Sequence, residues 1–118
     1  MKILLLEDSK RRIRKIKERE KARGNTVDVV YNPLQMMMQT FWNDYDKLIL
    51  DHDLQGKIFM RSRNVHSGLT ALMWSYEFIN PSEILIHSWN PWGAFNMWRF
   101  LKKLGFKNIK YRPCRWPF

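Results

Sequence analysis

The chain has one cysteine in 118 residues, Cys114. A single thiol excludes an intramolecular disulfide and any multi-cysteine zinc site, and it fits a reducing compartment. Long apolar runs are missing as well, since no stretch approaches the roughly 18 residues of a membrane span. The start Met1-Lys2-Ile3-Leu4-Leu5-Leu6 meets Glu7-Asp8 too early for a signal peptide. A cytoplasmic protein with no membrane partner is the expectation. No repeat, low-complexity tract or linker divides the chain, so residues 1–118 read as one domain, and 45% hydrophobic residues suffice for a core. Acids are scarce: 11 Asp and Glu against 21 Lys and Arg leave a net charge of +10. Such a field attracts polyanions, which makes nucleic acid or a phosphate-containing small molecule the expected class of partner.

What is present is a regular alternation. Apolar runs at residues 3–6, 27–31, 48–50 and 84–86, with a short last one at 108–111, have the aliphatic and β-branched character of buried strands. Helical patterns lie between them. Residues 10–23 carry nine cations and only Ile13, Ile16 and Ala22 as an apolar stripe. Residues 34–42 offer Met36, Met37, Met38, Phe41 and Trp42 to the sheet. Ser67 caps a helix through about Phe78, with Leu69, Leu72, Met73 and Tyr76 recurring at helical spacing. Residues 93–104 place Phe95, Trp98, Leu101 and Leu104 on one face, and 55–64 read as a loop. Strands alternating with helices across short turns predict an α/β domain, a parallel sheet covered on both faces.

In such a sheet the carboxyl ends of the strands share one rim, where ligands bind. The runs end in Glu7-Asp8, in Asp51-His52-Asp53, in His87-Ser88-Trp89-Asn90 and in Arg112-Pro113. Clustered carboxylates repel one another unless a cation neutralises them, so Asp8, Asp51 and Glu7 are the expected ligands of a divalent metal. Their oxygens favour Mg²⁺; recruiting His52 or His87 would move the preference toward Mn²⁺ or Zn²⁺.

With these residues in place, the chain resembles the receiver domain of two-component response regulators over nearly its whole length. Glu7-Asp8 matches the acid pair, Asp51 the phosphorylated aspartate, Ser88 the hydroxyl residue and Arg112-Pro113 the Lys-Pro pair. The resemblance implies a flavodoxin/receiver-like three-layer sandwich whose five-stranded parallel sheet has the order 2-1-3-4-5, with the last receiver helix missing. His52-Asp53, His87 and the arginine depart from that pattern. Leu50-Asp51-His52-Asp53-Leu54, together with the stretch from His87-Ser88 through Asn90-Pro91 and Gly93 to Asn96-Met97, is more similar to the cyclic-phosphate processing receiver-like family. That implies phosphoester chemistry on cyclic phosphates; RNA 2′,3′-cyclic phosphate ends or cyclic nucleotides are the expected substrates, and Mg²⁺ or Mn²⁺ is the cofactor expected from the oxygen donors.

A mechanism follows from the residue types. His87, with an ordinary pKa of about 6.5, would protonate the leaving oxygen, while His52 or Asp53 takes the proton of the attacking water. Asp51 would serve with the metal, and Ser88, Asn90 and Arg112 would orient the phosphate. The paired His-x-Ser/Thr motifs of two-histidine phosphoesterases are excluded on spacing, because His66-Ser67 and His87-Ser88 lack the intervening residue. Two other readings remain beside the esterase: a phosphorylatable or pseudo-receiver module, and a basic nucleic-acid-binding protein.

Overall fold

The computed structural model describes residues 1–54, 60–61 and 63–113; part of the loop read at 55–64, and Cys114, lie outside the described residues. Five strands, β1 (Lys2–Leu6), β2 (Thr26–Val30), β3 (Lys47–Leu50), β4 (Glu83–His87) and β5 (Ile109–Arg112), pair in parallel in the order β2-β1-β3-β4-β5. The helices between them are α1 (Lys10–Ala22), α2 (Pro33–Trp42), α3 (Gly68–Ser75) and α4 (Pro91–Lys103), with a 3-10 turn at Tyr76–Phe78. Among the described residues no helix follows β5, and no helix is long and apolar enough to cross a membrane.

The three central strands are buried almost throughout because both of their faces are covered. Their two-residue period divides the core. Leu4, Leu6, Leu48, Leu50, Ile84 and Ile86 pack with Met36, Leu72, Met97 and Leu101 of α2, α3 and α4. Ile3, Leu5, Ile49 and Leu85 pack on the other face with Ile16 of α1. Each such side chain contributes about 1.5–3 kcal/mol by leaving water. Local chemistry sets the helix ends: Ser9, Asn32, Ser67 and Asn90 each accept a bond from a first-turn amide. Gly24 and Gly105 take the left-handed turns, with φ of 80° and 90°, that return α1 and α4 to the sheet.

Four helix faces differ from the sequence expectation. On α1, Ala22 is exposed and Glu20 takes the last buried position, its carboxylate accepting from Asn25 at 3.0 Å and pairing with Arg19 and Arg23. On α2 only Met36 of the methionines is fully buried, and Met38, Phe41 and Trp42 face solvent. On α3, Met73 is exposed. On α4 the core face is Ala94, Met97 and Leu101, while Phe95, Trp98 and Leu104 are exposed. The small Gly93 and Ala94 let that side of α4 approach the sheet, and the bulky aromatics are left outside.

Candidate functional site

The strand register levels the ends of the central strands. Leu6 pairs with Leu50 and Leu50 with Ile86, so Glu7, Asp51 and His87 stand in a row across three neighbouring strands. At about 4.8 Å per strand the row spans roughly 10 Å. His87 in turn pairs with Arg112 of β5. The ladder continues one step past β1 and β3, as Glu7 donates its amide to Val30 and Asp51 donates its amide to Leu6. The alternation therefore carries over, and Glu7, Asp51 and His87 share the α1 side with Ile3, Leu5, Ile49 and Leu85.

On that side the carboxylates of Glu7, Asp8 and Asp51 each bring an oxygen within 4.8 Å of the others, a group that could hold a metal ion. Glu7 and Asp51 are buried and Asp8 is half-buried. Asp8 also donates its amide to Glu7 Oε2 at 3.0 Å. Arg12, one turn into α1, reaches into the group. Its Nε pairs with Glu7, and its Nη2 lies 3.3 Å from Glu7 Oε2 and 3.5 Å from Asp51 Oδ2. The Asp51 carboxyl is nevertheless pushed well above the usual carboxylate range, first by burial and then by Glu7 and Asp53, against the pull of Arg12. The pocket is short of positive charge even with a guanidinium in it. Its donors are hard oxygens, so the residues present fit a Mg²⁺- or Mn²⁺-sized divalent cation.

His87 is buried at the same level, and its imidazole is pushed down to about 4, first by burial and then by Arg12, Arg19 and Arg112. It is neutral at pH 7. Arg112 itself is exposed at the end of β5.

The remaining candidates face the other way. His52 is fully buried, and its Nδ1–H donates to Asp53 Oδ1 at 2.9 Å. Asp53 Oδ1 also accepts from the Met60 amide and from Asn90 Nδ2, both at 3.1 Å. Asn90 Nδ2 donates in addition to the Met60 carbonyl, and Asn90 Oδ1 caps α4 by accepting from the Gly93 amide, each at 2.9 Å. Ser88, fully buried, accepts the Asn90 amide at 3.1 Å, and Tyr111 donates to the Ser88 carbonyl at 3.1 Å. Two glycines press on His52. A methyl group on Gly93 would lie 2.4 Å from the imidazole, and one on Gly68 would lie 2.1 Å from the Asp51 carbonyl oxygen and 2.8 Å from the His52 Cα. The network ties the β3 end to α3 and α4.

The candidate residues thus form two groups: Glu7, Asp8, Asp51 and His87 with Arg112 at the edge, and His52, Asp53, Ser88 and Asn90. Arg12 and Gly68 were not singled out from the sequence, and Gly93 was named only as a position of the family motif. Arg12 is one of nine cations in fourteen residues with nothing local to distinguish it, although its place one turn after the Ser9 cap puts it at the rim. The glycines had a readable signal, because glycine in a first helical turn, where no turn geometry needs it, marks close packing.

Solved structures similar to this one include response regulators and receiver domains. A response regulator from Burkholderia pseudomallei, with a phosphorylated aspartic acid, calcium ion and citrate, superposes with a TM-score of 0.70 at 16% identity, over 97% of this chain and 61% of that one. A two-component response regulator from Clostridium difficile matches with a TM-score of 0.70 at 19% identity, over 100% of this chain and 84% of that one. The response regulator TrrA from Thermotoga maritima, in complex with Mg²⁺-BeF, matches with a TM-score of 0.67 at 18% identity, over 99% and 89%. The chain spans 61% of the first of these proteins, and at such identities the likeness shows the fold. No curated protein matches the chain. The sequence model of the cyclic-phosphate processing receiver domain matches residues 2–103, which include both groups of the rim except Arg112. The chain belongs to the cyclic-phosphate processing receiver domain family.

Proposed function

We propose that this receiver domain hydrolyses a cyclic phosphodiester, an RNA 2′,3′-cyclic phosphate end or a cyclic nucleotide. The observation that carries the reading is the shared face of the carboxylate group and a buried, neutral His87. A divalent cation on Glu7, Asp8 and Asp51 would neutralise their charge and polarise a phosphoryl oxygen. Arg12 and Arg112 supply guanidinium groups for the phosphate on either side of His87. Neutral at pH 7, His87 is suited to accept a proton before giving one. Water adds at phosphorus, its proton passes to His87, one ring P–O bond breaks, and the departing ribose oxygen takes the proton back. His52, which has no solvent access, acts in this reading as a positioning residue with Asp53, Ser88 and Asn90.

The test is incubation with 2′,3′-cyclic nucleotides, cyclic-phosphate RNA ends and 3′,5′-cyclic nucleotides in Mg²⁺ or Mn²⁺, read by ³¹P NMR. Ring opening by the parental protein, reduced about a hundredfold or more in His87→Gln, is the expected result. Absence of ring opening in every substrate, or an equal rate in the variant, overturns it. The similarity to response regulators favours a second reading, a module phosphorylated at Asp51. Acetyl phosphate labelling of Asp51 without cleavage of any cyclic phosphate would establish that one instead.

A further inference from the structure

The apolar side chains that α4 turns away from the core form a stripe. Trp92, Phe95, Arg99 and Lys102 follow one another at three- and four-residue steps, with Trp98 and Lys103 flanking them. Trp92 is 77% exposed and Phe95 51%. The rings of Phe95 and Trp98 are already paired with each other and with cations. Phe95 stacks on Trp98 with centroids 6.1 Å apart, Arg99 lies over Phe95 at 6.0 Å, and Lys102 lies over Trp98 at 5.8 Å. No acidic residue occurs on the helix. Between α3 and α4 a cleft of about 570 Å³ opens, walled by Met73 and Trp74 and flanked by Arg63 and Arg99.

Exposed aromatics on a soluble face cost solvation and mark an interaction surface. Aromatic planes interleaved with guanidinium and ammonium groups suit one ligand chemistry, unpaired bases for the rings and phosphates for the cations. The groove between α1 and β2 offers a contrast, since among the described residues that line it the cations Lys10, Arg14, Lys17 and Lys21 are joined by a single aromatic, Tyr31. Direction adds to the argument. Helix α4 is capped by Asn90, inside the rim network, with Trp89 exposed just before the cap, and it leads away from the rim. From Trp92 to Lys102 is about 15 Å at 1.5 Å per residue, room for about four nucleotides at roughly 3.4 Å each.

We propose that the exposed face of α4, with the α3–α4 cleft beside it, binds single-stranded RNA and leads its 3′ end to the rim. This rests on the esterase reading and selects the RNA end as its substrate class.

The probe is a fluorescein-labelled single-stranded RNA of ten nucleotides ending in a 3′-hydroxyl, so that binding is read without hydrolysis. Affinity should fall about fivefold or more in Trp92→Ala and in Phe95→Ala, with a larger loss in the double variant. Trp42→Ala, which removes a tryptophan 77% exposed at the far end of α2, should leave affinity unchanged. Ring opening of a 2′,3′-cyclic mononucleotide by the Trp92→Ala and Phe95→Ala variants should stay at the parental rate, while that of a cyclic-phosphate oligomer falls. Parental affinity in both α4 variants overturns the proposal whatever the enzyme does. So does a concentration-dependent dimer abolished by Trp92→Ala, which would make the face a contact between copies. Lost RNA binding in the variants, with no ring opening by the parental protein, leaves the RNA surface standing and removes the esterase.

Discussion

The two sides of the rim are built from the same residue types and solve opposite problems. Facing α1, Glu7, Asp8, Asp51 and His87 gather on one face, where burial and neighbouring charge push the Asp51 carboxyl up and the His87 imidazole down. Facing α3 and α4, His52, Asp53, Ser88 and Asn90 satisfy one another at 2.9 to 3.1 Å and are packed against two glycines. A carboxylate, an imidazole and their neighbours form a site where the electrostatics are left open. The same groups form a clamp where every bond is closed. Asp51 and His52 are adjacent in the chain, and the two-residue period of the strand sends them to different tasks.

The sharpest way to break this comparison is to add a methyl group to the clamp. Gly68→Ala places its Cβ against the backbone of Asp51 and His52, atoms that cannot swing aside as a side chain would. A loss of about 3 kcal/mol in urea unfolding is expected, with Gly93→Ala close behind because the His52 ring it meets is itself held by Asp53. Unchanged unfolding midpoints in both variants would mean that the rim tolerates slack and that the clamp does not exist.

The next test separates the sides by pH. His87 has a folded pKa of about 4, below its unfolded value of about 6.5. As pH falls, the unfolded chain takes up the proton first, so stability is lost as pH drops through about 6.5 and the loss levels off below about 4. Asp51 works in the opposite sense, because its raised folded pKa makes the chain more stable as pH falls. The difference between the parental protein and His87→Gln isolates the histidine. Between pH 7 and pH 5 the parental protein should lose about 2 kcal/mol more than the variant in urea unfolding. Equal losses would show that His87 is solvated and charged.

Much of this was legible in the chain. The aliphatic runs of β1, β3 and β4 identified a sheet buried on both faces, and the carboxylates, histidines and arginine after them located the rim, because a polar residue directly after a buried run has few other places to be. The division of the rim was less legible. Asp51-His52-Asp53 reads as one cluster until the strand period is continued past Leu50. The core face of α4 was only partly legible from periodicity: Leu101 was read on it and is buried, but Phe95 and Trp98 make one apolar stripe and Ala94, Met97 and Leu101 make another. Size decided between them: small residues let the helix approach the sheet, and the large aromatics had no room there. Met38, Phe41 and Trp42 of α2 repeat the lesson, as apolar character identifies a helix more readily than it identifies the buried side.

The smallest expected effect carries the opposite sign and sharpens the comparison most. In the clamp every deletion should destabilise, because each group leaves a buried partner unsatisfied. In the acid pocket, removing a charge should help. Asp51→Asn keeps the shape and the hydrogen-bonding capacity while removing a carboxylate that burial, Glu7 and Asp53 all oppose. In EDTA at pH 7 the variant should be more stable than the parental protein by on the order of 1 kcal/mol. The sign of the linkage fixes its pH dependence. A carboxyl whose folded pKa is raised contributes fully below its unfolded value near 3.8 and loses that contribution as pH rises through the folded value, so the advantage of the variant should shrink on acidification. Adding Mg²⁺ or Mn²⁺ should then raise the melting temperature of the parental protein and leave Asp51→Asn nearly unmoved, reversing their order when the cation is abundant. A destabilised Asp51→Asn that also ignores the cation would place Asp51 with His52 in the clamp, and the division of the rim into an open side and a closed one would fail.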